Sequence, residues 1–370
     1  MAKRHNYTAV PAFFARSGIS VGPLLPTLRL LLLVLVIWIG VSEITLAQSG
    51  GTSGAFTRMG FGPRGMAVGN TLSAVPQEGT YAHYNPALAA FGRGQADSGT
   101  AVMAFGRTLN MVNIGLRLPP SAGLNLGLLH AGVSGIDGRT SSGYHTEMLS
   151  VNEFQFFSAF GISLSGRASL GLSVKLNMAR LHADMDMSRS VGFDVGLLYR
   201  LAPGWHVAMV VQDVLSSYQW NSSGLYGEQR GRTRTDTFPM RIKTASSLVL
   251  PGDRLLVSAE WEVQRQSGEV VRRERPEGVY PPGSVRLYDS DTMNRYLLRT
   301  GLVWLAHERF TMRAGWEITD LAYVGDTHKP SAGLSVHLPF DSLSPSVDYT
   351  FVREPLGLAG LHMVALRLHF

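Results

Sequence analysis

The chain has 370 residues and no cysteine, which excludes a disulfide framework, a thiolate metal site and a cysteine nucleophile. Charge is also scarce: 16% of residues are charged, against roughly 25% in a typical soluble domain. A third absence is a long apolar run. Hydrophobic residues reach 45%, yet their longest gathering is the 12-residue stretch Leu30–Val41, and a spanning helix needs about 20. The apolar residues must therefore be spread over short elements.

The N-terminus is basic. Residues 1–29 carry Lys3, Arg4, Arg16 and Arg29 and no acid, and Thr45-Leu46-Ala47 offers small residues shortly after the apolar stretch. This pattern predicts a signal peptide over residues 1–47, cleaved after Ala47, with an unusually long basic region. An uncleaved anchor is the alternative, for which the apolar core is short. Four basic residues less Glu43 give this segment +3 of the formal +6. The remainder is then only about +3, so the charge balance does not argue for a nucleic-acid partner.

Beyond residue 100 the chain repeats one pattern, an alternating run followed by a turn. Val112, Ile114, Leu116 and Leu118 alternate with Asn113, Gly115 and Arg117. Leu170, Leu172, Val174, Leu176 and Met178 alternate with Gly171, Ser173, Lys175 and Asn177. Neighbouring side chains on a strand face opposite ways, so each run has a greasy face and a polar face. Fourteen runs can be placed, at 101–108, 111–118, 123–131, 151–164, 168–181, 191–201, 205–214, 240–250, 254–264, 296–305, 309–318, 331–338, 346–353 and 361–370. Many approach the 9–11 residues that a tilted strand needs to cross a bilayer. Their number is even, and the polar faces mix charges with glycine, as a hydrated lumen does.

The connections alternate in length. Short turns are expected at Pro119–Ala122, Ser165–Arg167, Ala202–Gly204, Pro251–Asp253, Ala306–Glu308 and Pro339–Pro345, and long loops at 132–150, 182–190, 215–239, 265–295 and 319–330. Long loops on one side and short turns on the other are typical of outer-membrane barrels. The predicted fold is all-β, a 14-stranded antiparallel transmembrane β-barrel over residues 101–370. Residues 48–100 precede it as an N-terminal plug segment.

Residues Met59–Phe91 are rich in glycine and small residues, with neither a helical stripe nor a two-residue alternation. Arg64, Gly65, Met66 and Gly69, followed by Tyr84, Asn85, Pro86, Ala87 and Leu88, resemble the opening of the FadL and PorV/PorQ outer-membrane proteins. One departure is Asn70-Thr71-Leu72, where those families more often carry Gly-Ala-Phe. Ser134–Arg139 looks closer to PorV/PorQ-type members. The resemblance implies a structural plug in which Asn85 and Pro86 fix a tight turn against the barrel wall. The final strand ends on Phe370, with Val364, Leu366 and Leu368 on the same face and Arg367 and His369 on the other. That ending resembles the signal read by the barrel-assembly machinery.

Other constellations carry less chemistry. Gly60-Phe61-Gly62-Pro63-Arg64-Gly65 matches a dinucleotide fingerprint, but needs a strand before it and a helix opening after it. His182-Ala183-Asp184-Met185-Asp186 could share a cation, although it lacks the other ligands of a calcium loop. His337, His362 and His369 are scattered over the closing strands with no local catalytic motif. Loop 215–239 carries Tyr218, Trp220, Tyr226, Arg230, Arg232 and Arg234. Loop 265–295 carries Arg272, Arg273, Arg275, Tyr280 and Tyr288. These suggest contacts with lipid phosphates or a partner. Gly161, Gly166 or Gly171 could mark a kinked strand.

The resemblance implies two functions, neither catalytic and neither requiring a cofactor or metal. One is a type IX secretion component that hands cargo from the translocon to the cell surface. The other is FadL-like passive transport of fatty acids or other hydrophobic molecules. Outer-membrane lipids, the assembly machinery, and a translocon or an apolar ligand are the expected partners, in the outer membrane of a Gram-negative bacterium.

Overall fold

The computed structural model describes residues 52–92, 94–229, 231–274, 285–319, 328–340, 343–354 and 360–370. The expected signal peptide lies outside these residues, as do Arg230, Arg275 and Tyr280. Among the described residues, no helix is long and apolar enough to cross a membrane.

The strands are β1 Gln95–Val102, β2 Arg107–Leu118, β3 Ala122–Arg139, β4 His145–Ser163, β5 Ala168–Arg180, β6 Ser188–Ala202, β7 Trp205–Val214 and β8 Ser217–Asn221. They continue as β9 Thr233–Thr237, β10 Met240–Val249, β11 Leu255–Glu274, β12 Val285–His307, β13 Phe310–Thr319, β14 His328–His337, β15 Ser346–Val352 and β16 Leu361–His369. β8 and β9 form a separate two-stranded hairpin, and the other 14 strands form a closed antiparallel barrel. Closure is by β1 against β16, from Gln95 opposite His369 to Val102 opposite His362. No barrel edge is left unpaired, as a wall in hydrocarbon requires.

Alternation decides which face meets which environment. On β5 Leu170, Leu172, Val174 and Leu176 are exposed on the outside, while Ser173, Lys175 and Asn177 are buried inside. At about 3.3 Å per residue and a tilt near 40°, Leu170–Met178 covers roughly 23 Å of height, close to the ~25 Å apolar band of such barrels. Tyr199, Trp205, Trp304 and Phe310 lie near the short-turn end of the wall. Trp261, Tyr296 and Trp316 lie toward the other end, with the Trp261 and Tyr296 rings stacked at 6.2 Å. Two aromatic belts flanking an apolar band are what a bilayer selects.

Three sequence expectations need correction. The first strand is β1, beginning at Gln95, not the run 101–108. Its outward residues are Ala96, Ser98, Thr100 and Val102, so three small side chains hide its greasy face. The stretches 132–150 and 265–295 are largely strand, because β3, β4, β11 and β12 run on past the apolar band. Within 215–239 the chain forms the β8–β9 hairpin, and Tyr218 is buried against Phe238 and Ala179, not offered to a partner. His362 faces outward, where its Nδ1 lies 2.8 Å from the Tyr349 hydroxyl.

Candidate functional site

Residues 52–92 run inside the barrel as short turns. These are a 3-10 turn at Ala55–Arg58, helix α1 at Pro63–Ala67, 3-10 turns at Leu72–Ala74 and Pro76–Glu78, and a 3-10 helix at Pro86–Phe91. Irregular backbone in a closed interior needs partners for its N–H and C=O groups. The wall supplies them. Thr350 Oγ1 donates to Pro63 O (2.6 Å), Ser331 Oγ to Ala67 O (3.0 Å) and Ser247 Oγ to Ala74 O (2.6 Å). Asn113 Nδ2 donates to Thr80 O (3.0 Å) and Gln212 Nε2 to His83 O (2.7 Å). The Gly60–Gly65 stretch follows a 3-10 turn rather than a strand, which removes the context a dinucleotide site needs.

The motif residues are brought together in pairs. The Tyr84 hydroxyl accepts from Phe61 N and donates to Asn70 Oδ1, both at 2.8 Å. It fills the space a side chain at Gly65 would occupy. Arg64 Nε donates to Asp348 Oδ2 on β15 at 2.9 Å, and Met66 is buried. Gly69 has φ 64°, and a Cβ there would sit 2.9 Å from Trp316 N on β13. Asn85 Oδ1 accepts from Ala87 N (3.0 Å), and Asn85 Nδ2 donates to Ser73 O (2.8 Å) and to Leu197 O on β6 (3.3 Å). Asn85 thus caps the Pro86–Phe91 helix and joins it to the wall, with Pro86 at the first helical position and Ala87 buried.

What the sequence hid is the surface this helix rests on. Gly123 on β3, Gly161 on β4, Gly171 on β5 and Gly196 on β6 face inward and pair in succession across the four strands. A Cβ at Gly161 would stand 2.6 Å from Ala90 N, and one at Gly171 would overlap Pro86. Gly301 and Gly315, paired on β12 and β13, receive Val68–Thr71 in the same way. Gly161 and Gly171 therefore seat the inner segment rather than kink the wall, and Gly166 lies in the exposed β4–β5 turn. The readable signal was inward glycine recurring on successive strands.

Charge fills one side of the lumen. Lys175 Nζ reaches Asp194 (2.6 Å) and Asp213 (2.9 Å), and Arg241 reaches Asp213 (2.7 Å). Arg299 bonds Glu260 (3.1 Å), Glu262 (2.7 Å) and Glu317 (2.6 Å), and Lys329 bonds Glu317 (2.8 Å). Asp213 enters this set through a β-bulge between β6 and β7, with φ 62°, so that Gln212 and Asp213 both point inward. No glycine marks that bulge. On the inner segment Glu78 pairs with Arg313 at 2.8 Å. Burial pushes its carboxyl up, but Arg313, Arg64 and Arg367 outweigh this and hold it below the usual carboxylate value. His83 is held well below the usual imidazole value by burial and by Lys175, Arg241 and Lys243.

From β16 to β4 the inward face is mixed: Gln95, Asp97, Asn113, Asn125, Gln155 and Arg367 are buried there, beside an apolar patch. Ala101 and Met103 join Leu109 and Met111 on β2, Leu129 on β3, Phe157 on β4, and Leu361 and Met363 on β16 in one cluster with Phe56 and Phe61 of the inner segment. Phe61 meets Phe157 edge-on at 5.3 Å and stacks on His83 at 4.9 Å. The lumen thus carries an apolar patch on the strands from β16 to β4, closed by Phe56 and Phe61.

Of the remaining candidates, His182 lies 3.7 Å from both Glu147 and Asp184, and among the described residues no group of acids and histidines could hold a metal ion. Ser134–Arg139 forms the outer extension of β3. Val364 and Leu366 are exposed on the outer face of β16 and Arg367 is buried inside, where Nη1 donates to Glu78 O at 2.8 Å. Leu368 shares the outer face, and the Phe370 N–H donates to Gly94 O (2.9 Å) at the seam.

No sequence-family profile matches the chain, and no curated protein does. Solved structures with the same fold are found. The Ralstonia pickettii toluene transporter TbuX has a TM-score of 0.56 at 14% identity, over 84% of this chain and 98% of its own. The monoaromatic hydrocarbon channel CymD has a TM-score of 0.59 at 12% identity, over 84% and 98%. A Pseudomonas aeruginosa FadL homologue has a TM-score of 0.57 at 11% identity, over 83% and 98%. The chain shares the barrel fold of these three proteins, at identities too low to carry residue roles across.

Proposed function

We propose that this protein is an outer-membrane channel for passive uptake of hydrophobic small molecules, with residues 52–92 as its plug. The observation that carries this reading is the apolar patch formed by Ala101, Leu109, Met111, Leu129, Phe157 and Met363 inside a lumen that is polar and charged around it. A polar solute gains nothing there, whereas an apolar one recovers transfer free energy, about 25 cal/mol per Å² covered. Phe56, Phe61 and Phe157 are themselves buried in this patch, so a ligand reaches it as residues 52–92 move aside, and the rings then suit aromatic or acyl ligands. The short turns then lie in the periplasm and the extended β3–β4 and β11–β12 strands outside the cell. The fold shared with TbuX, CymD and a FadL homologue supports the same reading. A secretion role draws no comparable support from the lumen or from Ser134–Arg139.

The test is uptake of radiolabelled toluene and oleate by a bacterial host lacking its own channel, carrying the wild type, Leu129→Asp or the milder Met111→Thr. Heat-modifiable migration of the barrel confirms assembly. Uptake by the wild type that falls about tenfold with Leu129→Asp is expected, a charge in an apolar site costing more than the ~1.4 kcal/mol that tenfold represents. Wild-type uptake no better than that of the empty host would overturn the reading. So would co-purification with a large translocon in place of transport.

A further inference from the structure

At one level of the wall the usual polarity is inverted. Ala101, Leu109, Met111 and Leu129 are buried inside, and the residues beside them in sequence, Thr100, Asn110 and His130, face outward. These polar groups are bonded to one another. Thr100 Oγ1 donates to Asn110 Oδ1 (2.6 Å), Asn110 Nδ2 lies 3.1 Å from His130 Nδ1, and His130 Nε2 lies 3.0 Å from Asn152 Oδ1. With Asn110 Nδ2 as donor, His130 Nδ1 accepts and its Nε2–H donates onward to Asn152. The ladder then runs in a single direction across β1, β2, β3 and β4. Its ends stay open in complementary senses, with an acceptor lone pair on Thr100 Oγ1 and the Asn152 Nδ2 donor.

Directly below the Thr100 end the wall is recessed. Ser98, Gly99 and Thr100 of β1 form the floor of a shallow outward groove of about 400 Å³, with Val112 of β2 and Val364 and Leu366 of β16 as its flanks. The flanking residues belong to the apolar band that meets the bilayer. On β5, by contrast, the same band is filled by Leu170, Leu172, Val174 and Leu176.

We propose that this groove and ladder form a fixed binding site for one bilayer glycolipid on the outside of the barrel, separate from the lumen. An acyl chain lies between Val112 and Leu366 over Ser98. Hydroxyls of the sugar head donate to Thr100 Oγ1 and accept from Asn152 Nδ2. Three features point to this occupant. The groove is continuous with the lipid-facing band, so an acyl chain is the molecule that meets it. The ladder stands where that band ends, above Val112, Leu128 and Phe154, at the depth of lipid head groups. Its two free ends stand three strands apart, about 14 Å at ~4.8 Å per strand, so they require a head that donates at one end and accepts at the other across that span, which several sugar hydroxyls do and a single choline or ethanolamine head does not.

Native mass spectrometry of the full-length protein, extracted mildly from its own outer membrane, tests the site. The wild type is compared with Ser98→Leu, which fills the groove, with Thr100→Val, which removes one polar end, and with Ser158→Leu, a control on the outer face of β4. All are outward-facing changes that leave the lumen intact. A retained glycolipid in the wild type and Ser158→Leu is expected, with occupancy at least about tenfold lower in Ser98→Leu and reduced in Thr100→Val. Equal retention in Ser98→Leu, no retained lipid in the wild type, or retention of phospholipids alone would overturn the proposal. A dimeric mass that Ser98→Leu abolishes would also overturn it and assign the groove to a second copy of the chain. None of these outcomes bears on uptake through the lumen.

Discussion

At Gly171 the spacing between the wall and the inner segment is set by the lack of a single methyl group. A Cβ there would overlap the backbone of Pro86, which cannot swing aside as a long side chain can. Gly171→Ala should therefore displace the Pro86–Phe91 helix, at a cost of roughly 1–3 kcal/mol for overpacking. Asn85→Ala should act similarly, through loss of the cap on Ala87 N and of the bonds to Ser73 O and Leu197 O. A capping change alone is worth about 1 kcal/mol. The measurement is sensitivity of cells to a large antibiotic that an intact barrel excludes. Gly171→Ala and Asn85→Ala should increase it, and Gly166→Ala, in the exposed turn, should not. Unchanged sensitivity in correctly assembled variants would show that the helix is not what closes the lumen.

Among elements, the barrel strands were legible where one face had to be greasy. β5, with five alternating apolar positions, could be read almost to the residue. β1 could not, because Ala96, Ser98 and Thr100 carry no hydrophobic signal and its buried face is Gln95 and Asp97. The inner segment was recognisable by its irregularity and by the Arg64–Ala87 motif, but its seating was not. That depends on glycines 34 to 246 positions away, from Gly123 against Ala89 to Gly315 against Gly69, which sequence separation conceals. The ion pair from Glu78 to Arg313 is equally non-local. Its folded carboxyl lies below the ordinary value, so its contribution is complete above the unfolded value of about 4.3 and is lost as pH falls through the lower, folded one. Closure of the barrel should thus be indifferent to pH from about 8 down to about 5 and weaken in stronger acid. Glu78→Gln should weaken it already near neutrality, since a buried Arg313 without its partner costs roughly 3–5 kcal/mol. Ion conductance in planar bilayers, recorded as a function of pH for both proteins, checks the sign and the window. A wild type that opens at pH 6 would contradict the assignment.

For the whole molecule, the question is whether the barrel needs its filling in order to stand. Lys175, Asp194, Asp213 and Arg241 pair among strands, as do Arg299, Glu260, Glu262 and Glu317, so these clusters keep their partners without the inner segment. Arg313 and the apolar patch do not, since Glu78, Phe56 and Phe61 cover them. The backbone ladder that closes β1 on β16 is independent of both. Deletion of residues 52–92 should therefore leave a barrel that assembles, less stable than the parent, with a wet lumen bounded by charge on one side. A barrel of 14 strands lies between the side-chain-filled 8-strand and the channel-forming 16-strand sizes. Its conductance should accordingly rise by about tenfold or more over the intact protein while selectivity for hydrophobic solutes disappears. If the deleted protein assembles and conducts no better than the parent, the lumen is closed by the wall itself and the inner segment is a structural core. If it fails to assemble, the inner segment is part of the folding nucleus, and the single-residue variants become the test of gating.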